Sequence, residues 1–459
     1  MQLNTILDKL RRYHHSIFYI LTIALISFLI WVVPAPYNYI PAVLYALACF
    51  IPLVGKDGRG YLPLILFTII TSSEIISFAS VPIYLYILYA SFLVSIITYI
   101  IIYKCRFIKG DLLFYLVILF AIFVISYLVA AIRTGDSNNS SLLYLLLLFG
   151  CLLIYSLLST TIGNNETLPY LQKSVVIFSL TICAQLLPFF IKNNFTIADD
   201  LFTLGWSYTR ETVSTLLCLS LPFYGMLIFN KKFLYIIGEI IVIGAIIILS
   251  TDSGLVTLIL GIIPLLILTF RSYKRLNSYI VLASIILIGV TFALLMVFEP
   301  KFNSRIMVAI QSLNLFHESD STRQQLFDSA ASSIKSNPII GGSIISLAND
   351  NGTVTLTKNT ILSTMVLGGV FALIAFIVYE IKLYMLCLKK ESQDKWLFFL
   401  MLLFVEIIGI IDNTIYNLYI LIFILTVLSC YQMSNRQLDI IVHSDYYENF
   451  DKYQEKKLD

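Results

Sequence analysis

Four basic side chains lie in two hydrophilic stretches of the chain and could bind an anion. They are Arg210, Arg323, Arg305 and Lys358, within residues 192–211 and 299–358. A guanidinium group stays charged at any accessible pH and forms paired hydrogen bonds with a phosphate, whereas an ammonium group acts as a point charge. The pattern therefore predicts a phosphate or pyrophosphate site in which Arg210 and Arg323 are the main cations. The alternative interpretation is a set of solvated loop charges.

Acidic and imidazole side chains near these cations could take a proton from an attacking hydroxyl group. The candidate bases are His317, Asp320 and Asp252, with Asp350 as a fourth. Their spacing does not choose among them, and Asp320 could instead cap the helix that follows it. The seven cysteines lie in apolar runs or short basic segments, and the four histidines do not converge. We therefore expect neither a metal site nor a cofactor.

The elements that must position these groups are strongly apolar. Of the 459 residues, 59% are hydrophobic and 12% are charged, and the mean hydropathy is +0.89. These values lie far above what a soluble domain needs to fill its core. The net charge of +3 is too small an excess to indicate a nucleic-acid partner.

Apolar runs long enough to cross ~30 Å of hydrocarbon recur along the whole chain. They are residues 16–33, 39–54, 61–79, 81–103, 111–132, 141–159, 174–191, 212–229, 233–250, 253–270, 279–298, 359–381, 396–411 and 414–431. The sequence therefore predicts an all-α, polytopic membrane bundle of about fourteen transmembrane helices. We expect it to form a single membrane-embedded domain over residues 1–459.

The distribution of charge predicts the orientation of this bundle. If the N-terminus is cytoplasmic, 22 of the 30 lysine and arginine residues fall on the inner side, as the positive-inside rule requires. Residues 299–358 then form a large extracytoplasmic loop, and residues 432–459 form a cytoplasmic tail. Three acidic residues interrupt the apolar runs, and we expect each to face a partner or a cavity. They are Glu74, Glu239 and Glu406.

The large loop contains signals for a helix and a turn. Residues 321–324 fit a capping box, and Asn337-Pro338 stops the pattern that follows. The apolar stripe between them is formed by Leu326, Phe327, Ala330, Ala331 and Ile334. This spacing predicts an amphipathic helix on the membrane surface or against the bundle. The turn beyond Pro338 contains Gly341 and Gly342, two residues free to adopt positive φ and to let a ligand approach the backbone.

Three segments of the loop carry a family resemblance. They are Ser321-Thr-Arg323-Gln-Gln-Leu-Phe327, Ile334-Lys-Ser-Asn-Pro338-Ile-Ile-Gly341-Gly342, and Asn359 before an apolar run with Gly368-Gly369. They resemble the outer loop of the O-antigen polymerase and ligase superfamily, bacterial polysaccharide repeat-unit polymerases and their ligase relatives. In that family an Arg opens a helix, a Pro-x-x-Gly-x-Gly-like turn follows, and a His-Asn pair precedes the next span. Residues 205–211, which contain Arg210, are similar to the family's Arg before an earlier span.

The resemblance implies a metal-independent glycosyltransferase of the bacterial cytoplasmic (inner) membrane, with both termini cytoplasmic as the charge pattern predicts. Such an enzyme transfers a growing O-antigen or capsule glycan from undecaprenyl pyrophosphate to a hydroxyl of the next lipid-linked repeat unit, on the outer face. Its implied partners are undecaprenyl-pyrophosphate-linked oligosaccharide, membrane lipid and a chain-length regulator protein. Arg210 and Arg323 would hold the leaving pyrophosphate, and Arg305 and Lys358 are second choices.

Two alternatives stay open. An O-antigen ligase performs the same chemistry on another acceptor, but Lys358 stands where the family's His often lies. Residues 251–254 also lack the Arg common in the family's Ser-x-Arg-Gly segment. A flippase for lipid-linked oligosaccharide usually has internal repeats and short loops throughout, and the sequence has no convincing repeat and one dominant outer loop.

Overall fold

The computed structural model describes a large part of the chain. The described residues are 9–33, 37–71, 83–104, 112–134, 139–161, 167–192, 210–229, 234–271, 286, 289–290, 300, 303–304, 307, 321–343, 357–388 and 394–431. Every regular element within these ranges is helical, which confirms the predicted all-α class for this part of the protein.

The helices are numbered in chain order. They are α1 Ile17–Val32, α2 Tyr39–Ala48, α3 Tyr61–Thr71, α4 Ile83–Tyr103, α5 Leu113–Thr134, α6 Asn139–Thr161, α7 Thr167–Lys192, α8 Arg210–Phe229, α9 Leu234–Leu249, α10 Asp252–Arg271, α11 Ser321–Ser336, α12 Thr360–Leu388, α13 Asp394–Ile411 and α14 Leu418–Tyr431. Two short 3-10 turns, Ile51–Val54 and Gly58–Gly60, lie between α2 and α3.

Five stretches of helix are long and apolar enough to cross a membrane. They are Leu85–Tyr103, Leu113–Arg133, Ser141–Thr161, Thr167–Pro188 and Thr360–Leu388. Some of the other predicted runs are not α-helical throughout. The run 39–54 is α2 followed by the 3-10 turn Ile51–Val54, and the run 414–431 becomes helical only at Leu418. The run 279–298 lies almost wholly outside the described residues.

The bundle is organised around α8, which packs against α7, α9, α10 and α13. A second group is formed by α1, which packs against α2, α3 and α7. On the other side, α5 packs against both α6 and α12, and α11 lies on α12. The amphipathic helix predicted for the loop is confirmed by α11, which starts at Ser321 and ends at Ser336. Its Ala330 is fully buried, so its apolar stripe faces the bundle.

The 3-10 segment between α2 and α3 is a packed structure with a buried ion pair. Arg59, within this segment, is only 5% exposed. Its Nε donates to Asp57 Oδ2 at 2.7 Å, and its backbone N–H donates to Asp57 Oδ1 at 3.0 Å. The buried ring of His14 lies against Gly55 and Gly60, and the Tyr170 hydroxyl donates to the His14 carbonyl at 2.9 Å. Burial lowers the pKa of His14 below its ordinary value.

Candidate functional site

Four helices begin at one end of the bundle, where side-chain hydrogen bonds hold them together. At the starts of α14 and α8, Asn417 Nδ2 donates to Thr212 Oγ1 at 3.0 Å. At the starts of α10 and α8, Thr251 Oγ1 donates to Ser214 Oγ at 2.7 Å. A helix start presents backbone N–H groups without helical partners and the positive end of the helix dipole. These starts therefore offer backbone N–H donors to an anion, whereas the ends of α9 and α13, which lie at the same end of the bundle, present carbonyl groups.

The start of α12 joins the same end through the short segment 412–417. Asn359 caps α12, since its Oδ1 accepts from Leu362 N at 2.9 Å, and its Nδ2 donates to Ile410 O at 2.8 Å. Thr414 N donates to Thr360 Oγ1 at 3.3 Å. The Asn that the sequence placed before an apolar span is thus a helix cap that ties α12 to the end of α13.

A buried amide lies beside this cap. Asn413 Nδ2 donates to Ser363 Oγ at 2.8 Å and to Thr357 O at 3.3 Å. Its Oδ1 is buried and has no hydrogen-bond donor in the described part of the chain. Lys358 follows Thr357 directly, and its side chain is half-buried. A ligand hydroxyl that reached Asn413 Oδ1 would find an acceptor there.

Arg210 is the first residue of α8 and lies at this end. Its side chain is half-buried, and its Nη1 is a buried atom with no acceptor among the residues that the structure describes. A buried N–H group without a partner costs about 1–3 kcal/mol, and more when it is charged. An anion that accepted a hydrogen bond from Nη1 would remove that cost.

The turn after α11 provides hydrogen-bond partners for backbone groups of α12 that have none within the helix at its kink. α12 is kinked at Gly368 and Gly369, whose φ/ψ values are −152°/15° and 65°/−154°. Beside this kink, Ser343 N donates to Val366 O at 3.0 Å. Val370 N donates to Pro338 O at 3.0 Å. The kink therefore frees backbone groups that the turn pairs, so that neither segment is left unsatisfied.

The glycines of this turn serve a different purpose from the one predicted. Gly341 has a φ of +83°, as expected, but the second left-handed residue is Ser343, with a φ of +68°, and the prediction for Gly342 was wrong. A Cβ atom on Gly341 would lie 2.6 Å from Val366 O, and one on Gly369 would lie 2.3 Å from Ile339 O. The backbone that approaches Gly341 so closely belongs to α12 and not to a ligand.

The other predicted site residues fall into two groups. Asp252 is the first residue of α10, is half-buried, and joins Arg210 and Lys358 at the same end of the bundle. Arg323 is the third residue of α11, and its side chain lies outside the described part. Four candidates also lie outside it, namely Arg305, His317, Asp320 and Asp350. Among the described residues, no group of three His, Cys, Asp or Glu side chains could hold a metal ion.

The sequence did not identify the partners in two polar contacts of the structure. The Nη1 atom of Arg133, near the end of α5, donates to Asn337 Oδ1 at 2.6 Å and so links α5 to the turn after α11. Glu406 of α13 was expected to face a partner, and its carboxyl group lies within hydrogen-bonding reach of Glu380 and Tyr384 of α12. The position of Arg133 at the end of an apolar run was the available signal for the first feature.

The geometry of this end is the main guide to function. No protein-family model matches the chain, and no curated protein matches it.

Proposed function

We propose that the protein is a polysaccharide repeat-unit polymerase of the bacterial cytoplasmic membrane. It crosses the membrane about fourteen times, keeps both termini in the cytoplasm and exposes residues 299–358 on the outer face. There it transfers the growing O-antigen or capsule glycan from undecaprenyl pyrophosphate to a hydroxyl of the next lipid-linked repeat unit. The sequence resemblance of the loop and the arrangement of the helix ends support this proposal.

The helix ends alternate in the way that the proposed topology requires. The described starts of α8, α10, α12 and α14 lie together with the end of α13, at the end that the charge pattern assigns to the outer face. At the opposite end, Tyr431 OH donates to Cys387 O at 3.1 Å, and Gly58 lies against Thr161. Most of the lysine and arginine residues belong to segments of this second end, as expected for a cytoplasmic face.

The turn after α11 lies at a depth that suits a membrane active site. Val366 is the seventh residue of α12, so the turn meets this helix about 9 Å from its first residue, at ~1.5 Å per residue. Irregular backbone at membrane depth is tolerated only where protein buries it or where it lines a cavity. A loop held in this way would bring the polar groups of residues 299–358 close to a lipid-linked substrate.

The proposed reaction needs a cation at its leaving group. The bond between the anomeric carbon and the pyrophosphate oxygen breaks, and the pyrophosphate leaves with the electron pair. The anomeric carbon forms a new bond to the acceptor hydroxyl oxygen, whose proton passes to a base. Arg210 and the helix starts around it would stabilise the developing charge, with Lys358 as a further cation. Arg323 and Arg305 are proposed to assist from the loop.

The base stays open among Asp252, His317 and Asp320. Asp252 is the candidate that the described residues bring to the same end as Arg210, which makes it the first to test. The single observation that carries the proposal is the buried Nη1 of Arg210, which lacks an acceptor within the described residues at a point where helix starts converge.

The test is the length of the polymer made in cells. Arg210→Ala and Arg323→Ala should each leave single-repeat products, because the leaving pyrophosphate loses a cation. Lys335→Ala is the matched control, since Lys335 is an exposed cation on α11, and it should preserve long chains. Arg323→Lys should rescue poorly because paired hydrogen bonding is lost. Long chains in both alanine variants, at equal protein level, would refute the proposal.

A further inference from the structure

The kink of α12 replaces one hydrogen bond of a regular helix by two bonds to another segment. In a regular α-helix the N–H group of Val370 donates to the carbonyl of Val366, four residues earlier. In this structure Val366 O accepts from Ser343 N at 3.0 Å, and Val370 N donates to Pro338 O at 3.0 Å. The turn after α11 is therefore inserted into the hydrogen-bond ladder of α12 and holds both halves of one helical hydrogen bond.

The turn and the kink meet backbone to backbone, at one glycine on each side. A Cβ atom on Gly341 would lie 2.6 Å from Val366 O and 2.7 Å from Gly369 N. A Cβ atom on Gly369 would lie 2.3 Å from Ile339 O. Gly369 also has φ/ψ values of 65°/−154°, which essentially only glycine adopts. The inserted arrangement therefore requires glycine at both positions.

The same backbone groups can be paired in a second arrangement. If the turn moves away, the two glycines of the kink can return to helical angles, and Val370 N can donate to Val366 O. Ser343 N and Pro338 O can then bond to water. The docked and released arrangements therefore differ in how these four groups are paired, and neither leaves one of them without a partner. Elements with two such discrete arrangements are the kind that switch.

The two halves of α12 are held by different neighbours. Before the kink, Asn359 Nδ2 donates to Ile410 O at 2.8 Å and ties the start of α12 to the end of α13. Beyond the kink, Tyr431 OH donates to Cys387 O at 3.1 Å and ties the other end of α12 to the end of α14. Because the two ends are fastened separately, a change of angle at the kink tilts one half of α12 relative to the other.

A side chain of α5 fastens the turn in its docked position. The exposed Nη1 of Arg133 donates to Asn337 Oδ1 at 2.6 Å. The carbonyl of Asn337 accepts from Gly341 N at 2.8 Å, so the residue that Arg133 holds is part of the turn itself. This contact is separate from the backbone groups of α12, and it can be removed without changing either the turn or the kink.

We infer that the turn after α11, residues 337–343, is a latch with two positions. Docked, it keeps α12 kinked. Released, it lets α12 complete its own hydrogen-bond ladder and become a continuous helix. The latch links the position of α11 and its loop to the shape of α12, whose first residues follow Lys358 and Asn359. It consists of backbone groups and two glycines, so it does not depend on the proposed function.

The first test is a double-mutant cycle for thermal unfolding of the full-length protein in detergent. Gly341→Ala and Gly369→Ala should each lower the Tm, because each forces the turn away from α12. Once the turn is released, position 369 lies in a regular helix, where alanine is favoured over glycine. The double variant should therefore melt no lower than Gly341→Ala alone.

A permanent kink gives the opposite result in this cycle. If α12 stays kinked without the turn, an alanine at position 369 keeps the strain of its backbone angles. The double variant would then melt lower than either single variant, and this result would overturn the inference. Gly150→Ala in α6 is the matched control, because a Cβ there meets nothing within 4 Å. It should shift the Tm equally in the wild type and in Gly341→Ala.

The second test follows the two amides separately, by hydrogen–deuterium exchange with residue resolution. Arg133→Met removes the fastening contact and leaves the sequences of the turn and of α12 unchanged. The Ser343 amide should exchange several-fold faster than in the wild type, because the released turn gives it to water. The Val370 amide should keep its wild-type rate, because its bond passes to Val366 O. Equal acceleration of both amides, or no acceleration at Ser343, would overturn the inference.

Discussion

Replacing Gly369 with alanine should release the turn after α11 from α12. The residue has a φ of +65° and a ψ of −154°, a conformation open essentially only to glycine, which costs an alanine about 1–3 kcal/mol. The new Cβ would lie 2.3 Å from Ile339 O and 2.7 Å from Gly341 N, so the turn must retreat. Retreat breaks the two backbone hydrogen bonds to Val366 and Val370, each worth about 1 kcal/mol net. Together these terms predict a loss of about 3–5 kcal/mol at the junction.

Hydrogen–deuterium exchange of peptides covering residues 337–343 measures this loss. An opening free energy lower by about 3 kcal/mol makes protected amides such as Ser343 N exchange about 100-fold faster. Gly244→Ala in α9 is the matched control, because a Cβ there meets nothing within 4 Å. It should keep the exchange of the turn unchanged and, as a helix interior substitution, should stabilise α9 by up to about 1 kcal/mol. Equal exchange of the turn in both variants would refute the reasoning about the kink.

Three further predictions concern other parts of the bundle. Burial lowers the pKa of His14, so the unfolded chain gains a proton near pH 6.5 that the folded chain does not, and stability falls as the pH falls below that value. The Tm of the wild type should therefore drop more between about pH 7.5 and 5.5 than the Tm of His14→Gln. Parallel curves of Tm against pH would contradict this prediction. Asp57→Ala should lower the free energy of unfolding by about 1–3 kcal/mol, because it leaves the guanidinium of Arg59, which is 5% exposed, without its carboxylate partner. A double-mutant cycle with Arg59→Met should show coupling between the two side chains, whereas additive losses would argue against the ion pair. The carboxyl groups of Glu406 and Glu380 face each other, and an amide at position 406 can donate a hydrogen bond to Glu380. Glu406→Gln should therefore be tolerated within about 1 kcal/mol while Glu406→Ala should cost more, and the reverse order of Tm would count against the contact with Glu380.

Local signals in the sequence were sufficient to predict parts of this structure. The bounds of α11 follow from a helix-start pattern at Ser321 and a stop at Asn337-Pro338, and both signals act within a few residues. The cap at Asn359 has the same origin, because a side-chain acceptor at a helix start satisfies its own neighbours. The all-helical class follows from the composition and length of the apolar runs.

Features set by contacts between distant segments could not be predicted in this way. The hydrogen bonds between the turn at Pro338 and the kink at Gly369 join residues about thirty positions apart, and nothing near either one specifies the other. The burial of Arg59 likewise depends on how α3 and α6 pack around the 3-10 segment. Arg210 was predicted as a cation from its type and position, but the burial of its Nη1 without an acceptor among the described residues could be seen only in the folded bundle.

The most direct test of the central claim is a reaction of purified protein with lipid-linked repeat units in liposomes, followed by measurement of released undecaprenyl pyrophosphate. The account predicts one undecaprenyl pyrophosphate released for each linkage formed by the wild type. It predicts a release rate lower by about 100- to 1,000-fold for Arg210→Gln, because a group that stabilises the leaving charge is lost. Wild-type rates in Arg210→Gln, with Lys335→Gln as an equally active control, would contradict the claim that Arg210 holds the leaving pyrophosphate.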